Sequence, residues 1–197
     1  MTRELRWRII TLQVVMILIF AFGAGVAFYG SNFTTEQIRS QLAPQQIFFP
    51  KDLSNIPADW PYRADLQKYA GQQVLTGDQA HVYADGYIGL HLKELAGGKP
   101  YSVLSAEARA EKDPALKAQK DALVQTAFRG EMLRATLNQA WAFSIFGTLA
   151  LYAAIGLTVA ALVVLGALVY ELFFARRPVD ESVFTPSTAP TPTATRA

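Results

Sequence analysis

Residues 135–170 read ATLNQAWAFSIFGTLALYAAIGLTVAALVVLGALVY, with no charged side chain and no proline. As a helix rising 1.5 Å per residue, Trp141 to Tyr170 covers about 44 Å, which matches the roughly 40–45 Å of a bilayer with its headgroups. Trp141 and Phe143 then fall at one interface and Tyr170, Phe173 and Phe174 at the other, the depths that aromatic rings favour. Arg176 and Arg177 follow at once. The stretch predicts a transmembrane helix over 141–170.

A second apolar run, IITLQVVMILIFAFGAGVAFY at 9–29, is also free of charge. It spans about 30 Å as a helix, the thickness of the hydrocarbon core. It is longer than the roughly 7–15 apolar residues of a cleaved signal, although Ala21, Gly23 and Ala27 could flank a cleavage site. Arg3, Arg6 and Arg8 precede it. Basic residues concentrate on the cytoplasmic flank of a span, so both termini are expected inside and 30–140 outside. The outer segment carries equal numbers of basic and acidic residues.

The expected fold class is therefore an all-α membrane protein, two transmembrane helices with a small helical extracytoplasmic domain inserted between them. Its parts are a cytoplasmic N-terminus (1–8), a span (9–29), the extracytoplasmic domain (30–140), a second span (141–170) and a cytoplasmic disordered tail rich in Pro, Thr and Ala (171–197). The plasma membrane is the expected location. Within the outer segment the first helix should continue over 31–43, with Thr34 or Thr35 as a local cap and Pro44 as a stop. Prolines 50, 57 and 61 predict a loop over 45–63 whose aromatics Phe48, Phe49, Trp60 and Tyr62 pack inward. Residues 64–76 suggest a short helix. Residues 78–96 suggest another, capped by Asp78 and stopped by Gly97-Gly98. Its apolar positions cover more than half its circumference, as in a helix sandwiched between others. Asp113-Pro114 opens the last helix, since proline suits the first helical position after a capping residue. No proline interrupts 115–170, so that helix should run on into the second span and hold Gly130 as an ordinary helical residue.

The chain of 197 residues has no cysteine, which excludes disulfides, thiolate metal sites, iron–sulfur clusters and cysteine nucleophiles. A net charge of +2 gives no footprint for a nucleic-acid partner. The metal candidates are His91 with Glu94, one turn apart, and His81. On one straight helix His81 and His91 stand about 15 Å apart and about 80° around the axis, so they cannot share an ion. No catalytic residue and no cofactor are expected. The spans hold no Asp, Glu, Lys, Arg or His, which removes the usual marks of a proton or ion path. Their notable residues are the small pairs Ala21–Gly25, Gly23–Ala27, Ala150–Ala154 and Gly156–Ala160, which allow close helix packing, and Gln13, an amide that could bond another helix.

Three stretches carry a resemblance: Ile47-Phe48-Phe49-Pro50, YADGYIGLHLKELAGGKPY at 83–101, and Phe128-Arg129-Gly130-Glu131. Together they resemble a family of actinobacterial two-span membrane proteins of undefined biochemistry, whose members often bear the name aromatic ring-opening dioxygenase. The resemblance covers most of 9–175 and implies the topology and an envelope setting. A ring-opening dioxygenase would need iron on two His and a carboxylate, so no site residue transfers to this chain. The expected function is a non-catalytic, membrane-anchored accessory or scaffold subunit. Its expected partners are the lipid bilayer and other integral membrane proteins or a second copy of itself. The alternatives are an envelope enzyme or metal or haem protein using His91 and Glu94, and a module that binds lipid or a small ligand.

Overall fold

The computed structural model describes residues 3–174. Among them the protein is all-helical, with one isolated antiparallel bridge between Phe48 and Gln73. Helix α1 (Arg3–Leu42) is followed by a 3-10 turn (Ala43–Gln45), and then come α2 (Arg63–Lys68) and α3 (Gly77–His81). A π-helix (Val82–Ile88) joins α3 to α4 (Gly89–Leu95), and α5 (Tyr101–Ala110) and α6 (Pro114–Phe173) complete the order. Both α1 and α6 are long and apolar enough to cross a membrane.

The residues fall into two compact units. In the first, residues 3–20 of α1 pair with 159–174 of α6. Arg6 donates to the Glu171 carbonyl at 2.8 Å, Leu168 is buried, and Gln13 places a buried Oε1 without a hydrogen-bond partner. The tail expected from 171 instead begins as helix up to Phe173. Residues 175–197, with Arg176 and Arg177, lie outside the described residues.

The second unit, residues 21–158, holds the core. Ile38 and Leu42 of α1, Leu137 of α6, and Phe49, Leu66, Val74 and Leu90 form one buried cluster. Phe49 is 2% exposed and meets Tyr69 and Tyr83 ring to ring, so its burial stabilises the unit by about 1.5–3 kcal/mol. The hydrogen bonds Phe49 N–H to Gln72 O and Val74 N–H to Ile47 O clip the loop down. Phe48, expected inside, is exposed because neighbours on the extended backbone around the bridge point to opposite sides.

Several local expectations are corrected. Thr34 and Thr35 do not cap: each hydroxyl donates back one turn, to the Gly30 and Ser31 carbonyls, and α1 passes through them to Leu42. The short helix expected over 64–76 is only Arg63–Lys68. The N-cap of α3 is Thr76, not Asp78, because Thr76 and Gln79 form a reciprocal capping box. The expected straight helix over 78–96 contains the π segment, and α5 had no counterpart in the sequence reading. Asp113 does open the last helix, its Oδ1 accepting from Ala115 and Leu116 N–H. Gly97 and Gly98 take positive φ of 59° and 76° where α4 ends, a conformation that favours glycine.

Candidate functional site

A connected set of polar side chains lies where α3 and the π segment pack along α6. The two run antiparallel, and their contacts step down α6 in order. A Cβ on Gly77 would overlap Ser144, and His81 Nδ1 lies 2.9 Å from Asn138 Oδ1. Asp85 Oδ1 accepts from Arg134 at 2.8 Å and from Asn138 at 3.1 Å. Gly89 and Leu92 then sit against Arg134 and Gly130. In an α-helix each step of four residues overshoots a full turn by about 40°, so the row 77–81–85–89 would swing about 120° away. The wider π turn removes most of that drift and keeps His81, Asp85 and Gly89 facing one neighbour. Trp60 Nε1 donates to the Gly86 carbonyl at 2.8 Å within the π segment. A Cβ on Gly86 would stand 2.8 Å from Tyr62 Cβ, so the close approach requires glycine there.

The His81 ring is stacked on Trp141 at 4.3 Å and meets the edge of Tyr62 at 6.0 Å. Its Nδ1 is also 3.5 Å from Asp85 Oδ2. Arg134 reaches a second carboxylate, Glu131, at 3.1 Å. Burial pushes the Asp85 carboxyl up, but hydrogen bonds from Arg134 and Asn138 and the nearby charges of Arg134 and His81 outweigh it and hold the carboxyl below its ordinary value. For Arg134, burial acts to lower the pKa, and Asp85 and Glu131 reverse that and raise it. Burial, followed by the neighbouring Tyr87, raises Tyr83.

A carboxylate beside an imidazole is the pairing that orients a general base. Here Asp85 is held by Arg134 and Asn138, and His81 is packed between aromatic rings. The nearby Ser144 hydroxyl donates to the Trp141 carbonyl at 2.6 Å. The arrangement clamps the π segment to α6: the terminal nitrogens of Arg134 pair with Asp85 and Glu131, while its Nε is buried without a hydrogen-bond partner. Sequence reasoning singled out His81 but missed Asp85, Arg134 and Asn138. The four-residue spacings His81–Asp85 and Arg134–Asn138 were the available signal.

The other metal candidates stand apart from this cluster. His91 is exposed, with Nδ1 2.8 Å from the Tyr87 carbonyl, and Glu94 is exposed too. Among the described residues no three His, Cys, Asp or Glu converge as a metal site. Of the small residues, Gly23 would bring a Cβ to 3.1 Å from Leu157, and Ala154 is buried. Ala27, Ala150 and Ala160 are half-buried. Ala21 is exposed, and a Cβ added to Gly25 or Gly156 would meet nothing within 4 Å. Ala24 is buried, and a Cβ on Gly147 would stand 3.0 Å from Thr34.

No protein-family model, curated protein or solved structure matches the chain.

Proposed function

We propose that this chain is a two-span protein of the plasma membrane that serves as a non-catalytic accessory or scaffold subunit. Both termini face the cytoplasm, and 30–140 form a helical domain outside that binds other membrane proteins of the envelope. The observation that carries the reading is the surface of the two apolar helices. Few residues of either apolar stretch are fully buried by the chain itself, and Leu18, Phe22, Val26, Phe146, Val159 and Val163 are all more than half exposed. So much bare apolar surface is stable only against lipid or other membrane helices. Ala21 and Gly25 form an open small-residue ridge on that surface, a shape that admits another helix closely. The pairing of Asp85 with Arg134 and Asn138 agrees with a structural rather than a chemical role.

The test combines topology and contact. Single cysteines at Asp59 and Asp180 are exposed to a membrane-impermeant reagent in intact cells, and the first alone should be labelled. A photo-crosslinking residue at Gly25 should yield a protein adduct in native membranes. The reverse labelling refutes the topology, and lipid adducts alone at Gly25 refute the scaffold role.

A further inference from the structure

Within the second unit, α1 and α6 leave a groove of about 580 Å³ between them. One end is aromatic, formed by Phe33 of α1 and Phe143 of α6, both exposed. Above it stand Gln37 and Gln139, then Gln41 and Thr136. A smaller cavity of about 200 Å³ adjoins it, shares Gln41 and Thr136, and adds Gln45. Helix rise places Gln41 about 12 Å beyond Phe33 along α1, and Thr136 about 10 Å beyond Phe143 on the antiparallel α6. Phe33 stacks on Tyr29 at 6.4 Å, next to the end of the first apolar run. Phe143 lies beside Trp141 in sequence, where the second begins. In the two-span reading the aromatic end therefore sits at the outer membrane interface and the amides point away from the bilayer.

We infer that this groove seats the headgroup of an outer-leaflet glycolipid, with the sugar against the glutamines and the glycerol and chains leaving between Phe33 and Phe143. The inference rests on the two-span topology of the proposed function. Its chemistry comes from the lining. No Lys, Arg, Asp or Glu borders either cavity. A phosphate pushed against these walls would lose water without meeting a cation, which is costly. An uncharged polyhydroxyl headgroup offers donors and acceptors together, and each amide side chain returns both. The volume falls within the range that holds a small ligand.

The experiment uses the full chain reconstituted in bilayers of phosphatidylcholine, phosphatidylglycerol and diglucosyl-diacylglycerol in equal parts. Lipids kept after mild detergent extraction are counted by mass spectrometry. The glycolipid should be retained over phosphatidylcholine by about tenfold, the factor given by roughly 1.4 kcal/mol of added hydrogen bonding. The double variant Gln37→Leu/Gln139→Leu should lose that preference while keeping the parent's melting temperature. Phe33→Ala/Phe143→Ala should lower retention of every lipid. Equal retention of the three lipids, a preference for phosphatidylglycerol, or a preference that survives loss of both glutamines overturns the inference. Extraction with alkaline carbonate separates the two readings. A chain that stays in the membrane without preferring glycolipid refutes the groove alone, and a chain that is released refutes the two-span reading as well.

Discussion

Replacing Asp85 with Ala should loosen the π segment from α6, and the structure sets the size of the effect. Asp85 accepts two hydrogen bonds, one from a guanidinium and one from an amide. Bonds to a charged group contribute about 1.5–3 kcal/mol each when shielded. The Asp85 and Arg134 side chains are 22% and 30% exposed, so solvent weakens the pair. Arg134 also keeps Glu131 as a partner, so its charge is not orphaned. The expected loss is about 2–3 kcal/mol for Asp85→Ala. In a double-mutant cycle with Arg134→Ala the coupling should be about 1–2 kcal/mol. Unfolding of the full chain in detergent by urea can be followed by tryptophan fluorescence. Trp141 stacks on His81 and Trp60 bonds the π segment, so both report on the clamp. A cost below about 0.5 kcal/mol with no coupling would show that the hydrogen-bonded pair does not hold these elements together.

Two further outcomes are expected. Because folding lowers the Asp85 pKa from its ordinary 3.8, the unfolded chain takes up the proton first on acidification. Its stabilisation is therefore complete above the unfolded value and is lost as pH falls through the folded one. The melting temperature should fall below about pH 4, with a shallower fall in Asp85→Asn, and equal slopes would refute the assignment. Gly130→Ala, expected from sequence to be neutral or stabilising, should instead destabilise by about 1 kcal/mol, since helix propensity gains about 1 and overpacking costs about 1–3. The reason is that the added Cβ would lie 2.5 Å from Leu92 Cδ2. Adding Leu92→Ala should remove that penalty in the same unfolding assay.

The parts of the fold legible in the sequence are those fixed by neighbours along the chain. Charge-free runs marked the two long helices, Asp113-Pro114 marked the start of α6, and Gly97-Gly98 the end of α4. The clamp was not legible, because Asp85 meets Arg134 and Asn138 across about fifty intervening positions and no local period encodes that pairing. The π segment was hidden for a related reason. Its composition suits an α-helix, and tertiary contacts such as the Trp60 bond to Gly86 widen it. Helix α5 was missed although Tyr101, Leu104 and Ala108 sit at steps of three and four. Its apolar stripe is narrow, with Leu104 and Ala108 buried and Tyr101 exposed. Gly25 and Gly156 show the converse. Spacing marks residues able to pack closely, but only the direction of each side of the helix decides which of them meets a neighbour inside the chain.

The π turn also changes how this segment tolerates gain or loss of residues. A helix with a widened turn carries one residue more than an ideal helix of equal contact pattern. Deleting a residue between Val82 and Ile88 would let the segment relax to ordinary winding while shifting the register of everything after it. Leu90, buried at 3%, and Leu92, lodged against Gly130, would then be replaced at their seats by their neighbours in sequence. A length change at the exposed Gly97-Gly98 turn, where an added Cβ would meet nothing within 4 Å, faces no such alignment. Length variants should therefore gather at the glycine turn and avoid the seven residues before α4.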